Sequence, residues 1–128
     1  MASQKQQYTI LYGRLSQEDE RAGESNSILH QRELLESYAQ AKGFENTLFL
    51  ADDGYSGTNF DRPSWKKIIE MIEAGEVSTL IVKDTSRLGR EYLQVGSYME
   101  IYFPQKNVRF IAVNDGVDSA DEISKYFN

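Results

Sequence analysis

Thr79-Leu80-Ile81-Val82-Lys83 is a short, nearly all-apolar run closed by a charge. A strand without polar alternation is covered on both faces, the condition of a central strand in a parallel sheet flanked by helices. The run leads directly into Ser86-Arg87-Leu88-Gly89-Arg90, so it also delivers two guanidiniums to the edge at its carboxyl end. Working outward, Thr9-Ile10-Leu11-Tyr12 before Gly13, Thr47 to Ala51, and Val108 to Val113 read as further strands. Between them lie helical patterns. Ser27 caps one in which Ile28, Leu35, Tyr38, Ala39 and Lys42 recur before Gly43. Asp61 is the expected N-cap of a second, with Pro63 in its first turn and Trp65, Ile68, Ile69 and Ile72 as its stripe until Gly75. Tyr92, Val95, Met99 and Tyr102 space a third, its aromatic positions expected in the core and Pro104 near its end. Asp52-Asp53-Gly54 and residues 55–59 read as a turn, and Gln17 to Asn26 as a long polar loop. Strand and helix alternate throughout, which predicts an α/β fold: a mainly parallel sheet of four to five strands with helices on both faces.

At 128 residues with 40% hydrophobic side chains, the chain is expected to form one domain over residues 1–128. Residues 1–7 are expected to be disordered, and 119–128 to begin another helix. There is no cysteine, so neither a disulfide framework nor thiolate metal binding is available, and with His30 the lone histidine no imidazole metal site is expected. No run approaches a membrane span and the N-terminus lacks a signal-like apolar stretch, so a cytoplasmic protein is expected. The net charge of -6 is the wrong sign for a domain whose main task is gripping duplex DNA. Affinity for nucleic acid must then be local or supplied elsewhere.

In parallel sheets, sites form beyond the carboxyl ends of the strands. Arg14 and Ser16 follow the first strand, Asp53 and Ser56 the second, Ser86, Arg87 and Arg90 the third, and Asn114-Asp115 the fourth. Fixed arginines match the charge on a phosphoryl group in flight, and Arg14, Arg62, Arg87 and Arg90 are the candidates. Ser16 is the candidate nucleophile, and strand alternation would turn Tyr12, Arg14 and Ser16 to one side if the extension persists past Gly13. Each cluster alone has a plainer reading. A serine after a strand is usually a turn former, Arg-Leu-Gly-Arg a surface turn, Asp52 and Asp53 turn residues, and Asp84 a surface charge paired with Lys83. What favours the chemical reading is that all the clusters fall on one edge.

In that order, Tyr12-x-Arg14-x-Ser16, Ser27-Ile28-x-x-Gln31, Asp53-x-x-Ser56-Gly57, Asp61-Arg62-Pro63 and Ser86-Arg87-Leu88-Gly89-Arg90 resemble the catalytic domain of serine recombinases, the resolvase and invertase superfamily, most closely its large transposon and phage types. The resemblance covers roughly Tyr8 to Ser119 and implies a resolvase-like fold. It implies that Ser16 attacks a DNA phosphodiester to form a 5′-phosphoserine link, with Arg14, Arg87 and Arg90 around the phosphate and Arg62 as a further arginine. Tyr12, Gln31, Asp53, Ser56 and Ser86 would support the site. It also implies DNA as partner, dimers that join into a synaptic tetramer, action at the bacterial nucleoid, and no metal or cofactor. Small resolvases carry aspartate directly before the first arginine of the last block, where this chain has Ser86, with Asp84 two residues earlier. The family's DNA-binding region follows a long helix near Asn128, so these residues are expected to be a fragment with weak DNA binding and little recombination alone. Arg87→Ala or Arg90→Ala is expected to abolish cleavage with little loss of folding. The alternatives are a noncatalytic module of the same fold for protein contacts or synapsis, and a small phosphate-processing α/β enzyme.

Overall fold

β1 (Tyr8–Leu15), β2 (Thr47–Asp53), β3 (Val77–Val82), β4 (Arg109–Ala112) and β5 (Val117–Asp118) form one sheet in the order β2-β1-β3-β4-β5. The first four are parallel and β5 is antiparallel to β4. This is a computed structural model, which describes residues 6–16 and 27–121. The expected polar loop from Gln17 to Asn26, most of the expected disordered N-terminus and most of the expected C-terminal helix lie outside the described residues.

Right-handed crossovers in this strand order send the β1–β2 connection to one face and the later ones to the other. The core divides in that way. Leu11, Ile81 and Ile111 pack with Leu35 and Ala39 of α1 (Ile28–Lys42). Their alternate neighbours Ile10, Tyr12, Leu80, Val82, Phe110 and Ala112 pack on the opposite face with Trp65, Ile68 and Ile72 of α2 (Pro63–Glu73). α1 starts at Ser27, whose hydroxyl accepts from the His30 amide, and stops at Gly43 in the left-handed conformation.

Two expectations change on the remaining connection. The arginine segment is not a plain loop, because Thr85–Leu88 forms a helical turn, α3, whose first amide donates to the Asp115 carboxylate at 2.7 Å. The third helix is not uniform either. α4 (Tyr92–Ser97) passes through a π-helical turn (Tyr98–Tyr102) into α5 (Phe103–Gln105). Pro104 lacks an amide, and its ring would strike the carbonyl four residues back in a regular α-helix. The wider turn, closed by the Phe103 amide on the Tyr98 carbonyl, absorbs that conflict and shifts the inward face by one residue. Tyr98 and Phe103 therefore stack at 5.8 Å over the core, while Tyr92, expected to be buried, is 86% exposed. β5 was not foreseen as a strand, and among the described residues the expected C-terminal helix comprises 119–121.

Candidate active site

β1 stays extended through Gly13 to Leu15, so the parity that turns Tyr12 toward α2 continues to Arg14. The last β1–β3 pair is Tyr12 with Val82, and beyond it a side chain replaces the missing strand. The buried amide of Gln31 accepts from the Arg14 amide at 3.1 Å and donates to the Arg14 carbonyl at 3.0 Å. Gly13 permits this approach, because a Cβ there would stand 3.1 Å from the Gln31 oxygen and 3.3 Å from the Phe49 ring.

Arg14 is fully buried. Its Nε donates to the Arg87 carbonyl at 3.2 Å, Nη1 to the Tyr55 carbonyl at 3.0 Å and Nη2 to the Ser86 carbonyl. Arg87 reciprocates, donating from Nη1 to the Arg14 carbonyl at 2.9 Å. Two motifs 73 residues apart in sequence are thus joined by their own arginines. Arg87 also donates from Nε and Nη2 to the Ser86 hydroxyl, which donates in turn to Asp84. Asp84 lies 3.5 Å from the Arg87 guanidinium, so its partners are Ser86 and Arg87, against the plainer reading of a surface pair with Lys83. Ser86 passes the carboxylate's influence to Arg87 across one hydroxyl.

A second network surrounds Arg62, also fully buried. Its Nε donates to the Asn59 carbonyl at 3.0 Å, and Nη1 to the Leu88 carbonyl at 2.6 Å and the Tyr12 hydroxyl at 3.3 Å. The Phe60 ring lies 4.5 Å from its guanidinium carbon, and Nη2 has no hydrogen-bond partner among the described residues. The Tyr12 hydroxyl donates to Asp52 at 2.7 Å. Burial pushes the Tyr12 phenol well above its ordinary pKa, with Arg62 offsetting part of the rise, so it remains a hydroxyl donor.

Asp52 is no turn residue. It lies in β2, is buried, and accepts from the amides of Ser64 at 2.9 Å and Trp65 at 3.0 Å, capping α2 from another element. The expected cap, Asp61, instead pairs with Lys66 at 2.6 Å on the surface, and Arg62 occupies the cap position in the backbone. The reason is parity: Asp52 continues the Leu48 and Leu50 face that packs under α2.

Ser16 is buried at the end of β1, and Arg90 is exposed, its amide donating to the Gly57 carbonyl at 2.6 Å. A Cβ at Gly57 would stand 2.8 Å from Arg14 Nη2 and 2.9 Å from Arg90 Cγ, so Arg14 and Arg90 converge on it. Tyr12, Arg14, Gln31, Arg62, Ser86, Arg87 and Arg90 are therefore linked at one sheet edge. Asp53 and Ser56 lie on its exposed rim, where the Ser56 hydroxyl accepts from the Thr58 amide. Asp52, Asp84 and the carbonyls of Tyr55 and Asn59 were missed by the sequence reading. Only Asp52 left a usable signal, in its strand parity.

The family model described as "Resolvase, N terminal domain" matches residues 9–128. The N-terminal catalytic domain of TP901-1 integrase superposes with a TM-score of 0.80 at 26% identity, over 94% of this chain and 88% of that one. The C-terminal catalytic domain of ISC1926 TnpA, an IS607-like serine recombinase, gives a TM-score of 0.67 at 26% identity, over 83% and 67%. "Uncharacterized immunity region protein 3" of Bacillus phage phi105 is 37% identical over 65 residues, 51% of this chain and 78% of that protein. Among the described residues, no helix is long and apolar enough to cross a membrane.

Proposed function

Since the chain belongs to the resolvase N-terminal domain family of serine recombinase catalytic domains, we propose that it carries out site-specific DNA recombination by attack of Ser16 on a DNA phosphodiester. The Ser16 oxygen bonds to phosphorus, the bond to the 3′ oxygen breaks, and that oxygen leaves as a 3′-hydroxyl while the 5′-phosphate stays on serine. Religation reverses the exchange, with a 3′-hydroxyl attacking the phosphoserine. One ester replaces another at each step, so no external energy source is consumed. Arg14, Arg62, Arg87 and Arg90 stabilise the transition-state charge, and Gln31 fixes the backbone that carries Arg14. Tyr12 and Ser86 orient Arg62 and Arg87, while Asp53 and Ser56 shape the rim. DNA is the partner, engaged as dimers that pair into a tetramer.

The mutual bonding of Arg14 and Arg87 carries this reading, because it joins two predicted phosphate ligands beside the strand that Ser16 follows. Among the described residues the Arg14 guanidinium donates to the carbonyls of Arg87, Tyr55 and Ser86, and phosphate oxygens make stronger, charge-assisted bonds than carbonyls do. Engagement of DNA would then part residues 55–57 from residues 86–90 and exchange those partners. The burial of Arg14 and Arg62 favours a second reading, a noncatalytic module in which arginines only brace the fold. The two separate in a covalent-adduct assay with the natural full-length protein and supercoiled DNA carrying its recombination sites. A protein–DNA band on denaturing gels in wild type, absent in Ser16→Ala, is expected. Specific DNA binding with no adduct in wild type would overturn the proposal.

A further inference from the structure

Phe60 belongs to none of the charged clusters, yet it packs against Arg62, α2, the π-helical turn and Gly89. Its ring lies 4.5 Å from the Arg62 guanidinium, 5.3 Å from the Trp65 ring in α2, and 4.8 Å from the Tyr98 ring at the start of the π-helical turn. Its carbonyl accepts from the Arg62 amide at 3.0 Å. On the remaining side is Gly89, where a Cβ would stand 2.8 Å from the Phe60 ring, 3.1 Å from Val95 and 3.3 Å from Arg62 Nη2. The φ of Gly89 is 175°, extended backbone open to any residue, so glycine is needed there for space and not for conformation. Phe60, Arg62 and the residue before Arg90 are therefore packed without slack.

Every hydrogen bond of the Arg62 guanidinium is made by Nε or Nη1, and Nη2 has none among the described residues. The orientation of that free edge is set by the aromatic ring against the guanidinium and by the chain at Gly89. The ring is in turn seated on Tyr98, so a shift of α4 at its π-helical turn reaches Arg62 through one side chain. We infer that Phe60 is a positioning residue for Arg62, coupling the setting of the α4 helix to the placement of an active-site arginine.

This inference rests on the recombinase reading, and the test separates the two. Phe60→Leu and Phe60→Met fill the space without a ring. In the natural full-length protein, both variants should form covalent adduct about 10- to 100-fold more slowly, at unchanged DNA affinity. In NMR of the 128-residue chain, the Arg62 Nε–Hε resonance should move in both variants. Wild-type adduct rates in folded Phe60→Leu or Phe60→Met, or an unmoved Arg62 resonance, would refute the positioning role and leave the recombinase reading standing. Absence of adduct in wild type would instead remove the recombinase reading, with the Arg62 resonance still reporting on the contact itself.

Discussion

Replacing Asp52 by alanine should be among the most damaging single changes in the chain. The carboxylate accepts from two amides at the start of α2 and from the buried Tyr12 hydroxyl. Losing a cap costs roughly 0.5–2 kcal/mol, and a buried donor left without its acceptor costs about 1–3 kcal/mol. Together these predict a loss of about 2–5 kcal/mol, which for a domain of this size lowers Tm by on the order of 8–20 °C. Trp65, the sole tryptophan, is 1% exposed and 5.5 Å from the Tyr12 ring, so its fluorescence reports directly on the region in urea melts. Tyr12→Phe removes the hydroxyl alone, and a double-mutant cycle with Asp52→Ala should show a coupling on the order of 1 kcal/mol. A loss below about 1 kcal/mol for Asp52→Ala, or additivity of the two changes, would show that the carboxylate does not join β1 to α2 as argued.

The arginines divide by burial. Arg90→Ala should abolish adduct formation while changing stability by less than about 0.5 kcal/mol in chemical melts. Arg87, at 2% exposure, holds Arg14 and Ser86 and should cost about 2–4 kcal/mol on truncation, which revises the expectation that its loss would spare folding. Gly57→Ala should displace Arg14 and Arg90 together, abolishing adduct and costing about 1–3 kcal/mol. Arg109 donates to Asp118 and holds its carboxyl below the usual range. The pair should stabilise the fold above pH about 4 and lose that contribution as pH falls through the lowered value, so Asp118→Asn should flatten the acid limb of a stability-versus-pH profile.

Much of the fold was legible because its signals are local. The apolar run 79–82, the Ser27 and Gly43 caps and Pro63 at the start of α2 each act within a few residues, and each stands where expected. The elements misread are those decided by partners distant in sequence. Asp61 has the chemistry of a cap, but Asp52, 12 residues before Ser64, reaches the amides first. Asp84 next to Lys83 looks like a local pair, yet the helical turn that carries Ser86 and Arg87 back to it is itself held by the Asp115 carboxylate, 30 residues beyond Thr85. The arginines were legible by type and order. Their burial was not, since nothing local shows that Tyr55, Ser86 and Arg87 would turn their carbonyls toward Arg14.

The π-helical turn at Tyr98–Tyr102 also acts as a one-residue spacer. A turn of this kind holds one residue more than a regular helix needs, so removing Glu100 would take out the residue that makes room for the Pro104 ring and force a regular turn against it. The half of the helix before the cut would then rotate by about 100° relative to the half after it, carrying Tyr98 away from Phe60 and Phe103. Length in this segment is therefore more constrained than identity. Many side chains at the exposed positions 100 and 101 would serve, but a shortened segment would lose the alignment between its two halves.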